Sequence, residues 1–454
     1  MSPEDARAGV GSDAAGKAAG VKAGAAGGGD GSGRPRGVTI TGMGLLTPVG
    51  RGVGEVFGAL LRGRSGIVKP PVGHPVAESI ESAGILPAFD AGRIASGPDG
   101  KVMDRTVILA QLAAEDALTD AGLTVGENVE AGRIGVIVGG VGGMATLEQQ
   151  VLARSERGRA AVSPYLLTGI LPNMPAARVA IRFGIRGYTS AVGTACASGA
   201  QAIADAARLI RSGEADVVLC GASEAPLFPT FAETFANARA LARGWDDPAE
   251  ASRPFDLRRN GFVLSEGAAL LVLESTAHAA ARGARGYADI AGYGVNSDAH
   301  HPTAPRPDGT GAAECMRMAF RGIDRSKVGY VNAHGTSTKL GDVAESVAIG
   351  LAFGDHHPAV SSTKALTGHM LGTSGVVEAA AAACAIATGL LPPTYHLDDP
   401  DPACPLDHVR KEPREVHLEY ALSNSFGFGG QNVSLLLSTA TTPERRQIDS
   451  EEKP

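Results

Sequence analysis

The sequence predicts an α/β fold built from two copies of one unit. Three observations predict it. Short apolar runs bounded by glycine alternate with helical periodicity, a similar succession of strand-end loops occurs twice, and 454 residues exceed the length over which one core keeps growing.

The elements follow in order. Residues 1–36 hold almost no large apolar side chains, so this stretch cannot offset the entropy of ordering and is expected to be a disordered leader. "GVTITGMG" (Gly37 to Gly44), "RIGVIVGG" (Arg133 to Gly140), "ADVVLCGA" (Ala215 to Ala222) and "AALLVLES" (Ala268 to Ser275) have the apolar density of buried strands. Between the second and third of these runs, Ile203, Ala206, Ala207 and Ile210 recur at helical spacing, with Gln201, Asp205, Arg208 and Arg211 on other faces. "VTITGMGLLTP" near Val38 is then echoed by "ADIAGYGVNSD" near Ala288, and "IGVIVGGVGG" near Ile134 by "VGYVNAHGTST" near Val328. A third pair sets "SAVGTACASGAQAIADAA" beside "SSTKALTGHMLGTSGVVEAAAAA". A duplicated unit brings the paired loops to one end, where strand-end turns gather residues for chemistry. The expected division is 37–286 and 287–438, followed by a flexible polar tail at 439–454.

Composition excludes several classes of function. Five scattered cysteines, odd in number and without a C-x-x-C pair, argue against a disulfide framework or structural zinc site and for a reducing, cytoplasmic setting. No secretory h-region and no run of ~20 apolar residues is present, so no membrane association is expected. A net charge of −7 opposes nucleic acid as a partner. The pairs at His300, His301 and at His356, His357 lack zinc-ligand spacing, and no Walker-type phosphate loop occurs, so neither metal nor cofactor is expected.

Chemistry concentrates in three stretches. In "VGTACASGAQ", Cys196 stands among small residues just before a helix, where unpaired N–H groups and the helix dipole are expected to stabilise a nucleophilic thiolate and to offer an oxyanion hole. Cys220, within a strand, and Cys384, within an Ala-rich helix, read instead as inert core. His334 in "NAHGTSTKLGD" and His369 in "SSTKALTGHMLGTSGVVE" lie in strand-end loops, and neutral imidazoles there can hold a carbonyl and steady an enolate. Lys364 and Glu378 flank His369 in an otherwise apolar stretch and are placed to pair. Finally, "SNSFGFGGQN" alternates Phe and Gly, a pattern suited to a hinged gate over an apolar tunnel.

Together, "TACASG", "NAHGTSTKLGD", "KALTGHMLGTSG" and "SNSFGFGGQN", in this order and spacing, resemble the β-ketoacyl-[acyl-carrier-protein] synthases of the thiolase-like fold, particularly the type II condensing enzymes. The resemblance runs from Val38 to Ser438. It implies a duplicated five-layer α-β-α-β-α architecture and a decarboxylative Claisen condensation between an acyl thioester and a malonyl group, both delivered by an acyl carrier protein. By position it makes Cys196 the acylated nucleophile, His334 and His369 the condensing histidines, Lys364 the support of the second histidine, Glu378 its ion-pair partner and Phe428 the gate and second oxyanion donor. Val141 falls where the family sets acyl-pocket depth, and Phe426, Thr336 and Thr338 are expected with it as substrate-binding residues. Arg62, Arg64 and Arg239 are candidates for docking an acidic carrier, with a solvated basic face as the plain alternative.

Departures from the family pattern bear on the pathway. "GTSG" (Gly372 to Gly375) replaces the frequent "GAAG", Lys339 replaces a common proline, and Asn260 and Ser265 interrupt the usual "DGFV" and "GEG". These lean the expectation away from housekeeping fatty-acid elongation toward a polyketide or polyene pathway. The chain is expected as a homodimer or as a heterodimer with a chain-length factor. A non-catalytic partner subunit is the rival reading, but such relatives typically lack the cysteine. Thiolases would add a second reactive cysteine near the C-terminus, where this chain has "NSFGFGGQN".

Overall fold

The computed structural model describes residues 36–442, except 91, 93 and 95–102, together with Ile448. The leader and most of the polar tail lie outside the described residues.

Ten strands carry the fold. They are β1 (Val38–Thr47), β2 (Ile134–Gly139), β3 (Thr189–Val192), β4 (Val217–Glu224), β5 (Gly267–Ser275), β6 (Ala288–Ser297), β7 (Val328–Asn332), β8 (Ala359–Ser361), β9 (Tyr420–Gly427) and β10 (Gln431–Thr439). With two short strands at 50–51 and 407–408 they form a twelve-stranded sheet whose order is β8-β7-β9-β10-β6-β1-β5-β4-β2-β3. Each strand in the first half has its counterpart five numbers on. β1–β5 and β6–β10 are antiparallel, as are β5–β4 and β10–β9. β4–β2 and β9–β7 are parallel, as are β2–β3 and β7–β8. The echo of Val38 with Ala288 and of Ile134 with Val328 is therefore β1 with β6 and β2 with β7.

The halves meet where β1 and β6 share only Thr39↔Asp289 and Ile40↔Ala288. Asp289 staples this seam by accepting from the Thr39 hydroxyl at 2.6 Å and from the Thr441 hydroxyl and N–H at 2.6 and 3.0 Å. The tail is thus fixed through Thr441 rather than loose from 439, because a buried carboxylate recruits its first polar residues.

Helices complete five layers. These are α1 (Arg105–Ala121), α2 (Ser198–Ser212), α3 (Thr310–Ala319), α4 (Lys339–Phe353) and α5 (Gly372–Thr388). The predicted face of α2 (Ile203, Ala206, Ala207 and Ile210) is fully buried in one core with Val376, Val377 and the alanines of α5, between Leu271 and Leu273 of one half-sheet and Leu435 and Leu437 of the other. The alternate strand residues turn outward, Leu270 and Val272 onto α1 and Leu436 onto α3 and α4. Small residues permit the close α2–α5 approach: a Cβ at Gly199 would lie 2.4 Å from the Gly372 carbonyl oxygen.

Candidate active site

The N-terminal half supplies the thiol. Beyond β3 the chain makes one 3₁₀ turn at Ala195–Ala197 and enters α2 at Ser198. The Ser198 hydroxyl holds that turn, accepting from Thr194 N–H at 2.9 Å and donating to the Ala195 carbonyl at 2.7 Å. Ala195 has a φ of 48°, a strained value for a side-chain-bearing residue of the kind that clusters at functional sites. Cys196 is buried against Leu227, Phe262, Leu264 and Leu371.

That burial corrects the expectation of a standing thiolate. Desolvation pushes the Cys196 thiol up to about 11, although the Lys364 ammonium and the backbone N–H groups of Phe428 and Cys196 itself favour the anion. Cys196 therefore rests as a neutral thiol with the backbone N–H groups of Phe428 and Cys196 itself beside its sulfur.

The C-terminal half supplies two imidazoles. His334 follows β7, and Glu345 of α4 fixes its turn by accepting from the N–H groups of His334 at 2.8 Å and Gly335 at 2.7 Å. His369 follows β8 and the short helix Lys364–Thr367; its N–H donates to the Val263 carbonyl at 2.8 Å, and its carbonyl accepts from Ser265 at 3.1 Å. The two rings stand edge to face with centroids 5.4 Å apart. Desolvation first, and the Lys364 ammonium second, hold both well below the usual imidazole range, so both are neutral at pH 7. Phe426 lies 5.8 Å from the His334 ring and Phe262 5.5 Å from the His369 ring.

Lys364 and Glu378 form a fully buried ion pair. The remaining donor capacity of Lys364 goes to the carbonyl of His334 at 2.5 Å. The Lys364 ammonium thus bonds the backbone of the first histidine, while its charge acts on the rings of both.

The Phe-Gly loop packs against the turn that carries the thiol. A Cβ at Gly427 would come within 2.5 Å of the Thr194 carbonyl oxygen and 3.4 Å of the Cys196 nitrogen, so this position admits only glycine. The adjacent Phe428 ring is exposed and lies 6.2 Å from Phe235. Thr336 and Thr338 are half-buried with hydroxyls 3.1 Å apart. Val141 is half-buried, its N–H directed at the buried Glu224 carboxyl at 3.4 Å.

The basic candidates separate. Arg64 is engaged by Val49 at 2.6 Å and Glu55 at 3.0 Å, which counts against it as a docking residue. Arg62 is exposed at the end of the helix Val53–Arg62 and has no ion pair among the described residues. Arg239 is exposed and has no ion pair among the described residues. No cluster able to hold a metal ion occurs among the described residues.

Sequence reasoning missed Glu345, Ser374 and Glu224. Glu345 could have been found as a charge beside the apolar Ala344, Ala348 and Ile349 of α4, and Ser374 as one of the "GTSG" departures.

Comparison with known proteins accords with this geometry. The sequence matches the family model "Beta-ketoacyl synthase, N-terminal domain" over residues 35–279 and "Beta-ketoacyl synthase, C-terminal domain" over 287–398. It is 42% identical to a 3-oxoacyl-[acyl-carrier-protein] synthase 2 of Synechocystis sp. over 403 residues, covering 88% of this chain and 97% of that protein. Two solved structures superpose with TM-scores of 0.83, each over 90% of this chain and 100% of the other. One is a type II polyketide ketosynthase bound to the hexaketide in complex with its acyl-carrier protein, 32% identical. The other is the ishigamide ketosynthase/chain length factor, 34% identical. The chain belongs to the β-ketoacyl synthase family.

Proposed function

We propose that this chain is a 3-oxoacyl-[acyl-carrier-protein] synthase that elongates acyl chains through Cys196, His334 and His369. The carrying observation is a buried thiol facing two backbone N–H donors, in a fold that sets two neutral imidazoles 5.4 Å apart over one buried lysine.

The first half-reaction is acyl transfer. The Cys196 sulfur attacks the thioester carbonyl as its proton passes through the site toward the departing phosphopantetheine sulfur, and the N–H groups of Cys196 and Phe428 stabilise the tetrahedral oxyanion. The carbon–sulfur bond to the carrier's phosphopantetheine breaks, and that thiolate receives the proton. In the second half-reaction the malonyl thioester oxygen lies against His334 and His369. Loss of carbon dioxide leaves an enolate, whose carbon attacks the acyl-Cys196 carbonyl. The new carbon–carbon bond forms, the cysteinyl carbon–sulfur bond breaks, and the sulfur regains one proton from solvent through the site. The product is a 3-oxoacyl carrier protein, and no step requires an organic cofactor.

The expected lean toward polyketide chemistry gives way to fatty-acid-type elongation. The curated relative at 42% identity is a 3-oxoacyl-[acyl-carrier-protein] synthase 2, whereas the polyketide ketosynthase stands at 32%. The departures behind the lean have structural uses: Asn260 binds Trp245 and the Arg243 carbonyl, Ser265 binds the Thr367 carbonyl, and Lys339 is an exposed first residue of α4.

Residues 37–286 form the half that carries the nucleophile, and 287–438 the half that carries the imidazoles, with 1–36 and 439–454 outside the chemistry. Arg62 and Arg239, both exposed, are the favoured contacts for an acidic carrier protein. β3 is an edge strand of the sheet and Leu147, Val151, Leu152, Ile181 and Tyr188 are exposed, apolar surface suited to a second subunit, and retention of the thiol with both histidines favours a second copy. Five free cysteines and the lack, among the described residues, of any helix long and apolar enough to cross a membrane support a cytoplasmic setting.

The test separates the half-reactions. His334→Ala is expected to retain acylation of Cys196 while losing at least about a hundredfold in carbon dioxide release from a malonyl carrier. Wild-type decarboxylation in this variant would overturn the role of His334.

A further inference from the structure

We propose that Ser374 is a positioning residue that keeps the proton of His369 on Nε2, so that this histidine is a hydrogen-bond donor during condensation. The inference rests on the condensing function proposed above.

Ser374 lies in the first turn of α5 and is fully buried. Its Oγ accepts from the Met370 N–H at 2.9 Å and lies 3.2 Å from Nδ1 of His369. A serine hydroxyl has one proton to give. With a lone pair engaged by Met370, and with no other acceptor within reach among the described residues, that proton goes to Nδ1. An Nδ1 that accepts must be bare, and a neutral imidazole then carries its proton on Nε2. The alternative tautomer would make the hydroxyl accept twice and leave its own proton unpaired in a buried setting, which is costly.

The consequence is directional. An Nε2–H donates to an oxygen that gains negative charge, and so stabilises the enolate more than the ground-state thioester. The backbone bonds of His369 to Val263 and Ser265 hold the chain but leave the ring's proton unassigned. Ser374 supplies that assignment, and the same hydroxyl fixes the turn through Met370.

The test compares wild type, Ser374→Ala and His369→Ala. Carbon dioxide release from a malonyl carrier and acyl transfer to Cys196 are measured separately on each. Wild-type activity lost in His369→Ala establishes the underlying reading; a fully active His369→Ala would overturn that reading by itself. With the reading intact, Ser374→Ala is expected to lower the ratio of decarboxylation to acylation about tenfold, the scale of one lost hydrogen bond. Imidazole 15N NMR, with the His369 signals assigned by their loss in His369→Ala, is expected to show a bare Nδ1 and protonated Nε2 in wild type and mixed tautomers in Ser374→Ala. An unchanged ratio, or a protonated Nδ1 in wild type, would overturn the proposal.

Discussion

Cys196→Ala is expected to abolish covalent acyl transfer, with condensation falling by about ten-thousand-fold or more. The four remaining cysteines cannot substitute. All four are buried, and desolvation drives the thiols of Cys220, Cys315, Cys384 and Cys404 well above the ordinary range. Removing a nucleophile that forms a covalent intermediate leaves only binding and the oxyanion donors. The variant should fold, because alanine fits the same small-residue turn and the Ser198 bonds that hold it are untouched. Incubation with acyl carrier protein followed by intact-mass measurement checks the result. A persisting acyl adduct at the wild-type rate would show that another residue is the nucleophile.

Lys364→Met is expected to damage both stability and chemistry. Its ammonium is fully buried between the Glu378 carboxylate and the His334 carbonyl. Deleting it strands both partners, a loss of about 3–5 kcal/mol for breaking one side of a buried pair. The loss depends on pH in a defined sense. Desolvation raises Glu378 above its ordinary 4.5, so this group's contribution to stability is full below pH 4.5 and is lost as pH rises through the folded-state value. Without Lys364 that value climbs further. The destabilisation, measured from urea midpoints, is therefore expected to be smaller at pH 5 than at pH 8, and Lys364→Met/Glu378→Gln should recover part of it. Equal destabilisation at both pH values would contradict the buried-pair account.

Much of this site was legible because its residues sit where strands end. Cys196 stands where a turn opens a helix, His334 where an apparent strand ends and His369 in a glycine-rich turn, and the repeat pairs the Cys196 stretch with the His369 stretch. Other features depend on tertiary surroundings. The protonation of Cys196 reverses the local expectation: a helix N-terminus favours the thiolate, but Leu227, Phe262, Leu264 and Leu371, drawn from elements distant in sequence, remove the water that an anion needs. The pairing of Lys364 with Glu378 was open to reading in sequence, but the bond from Lys364 to the His334 carbonyl depends on the parallel pairing of β7 and β8. Arg64 looked available as a landing residue until Glu55, one turn into the preceding helix, was found to bind it. The left-handed backbone at Ala195 and Leu371 carries no sequence mark, since glycine is the usual signal and neither residue is glycine.

The thiol at 196 accepting the acyl group is the claim on which the other assignments depend. Peptide mass mapping of wild-type protein, quenched in acid after incubation with an acyl carrier protein and without malonyl carrier, tests it most directly. The expected result is one acyl mass increment confined to the peptide containing Cys196. An increment on any peptide bearing Cys220, Cys315, Cys384 or Cys404, or an unmodified Cys196 peptide after carrier thiol has been released, would contradict it.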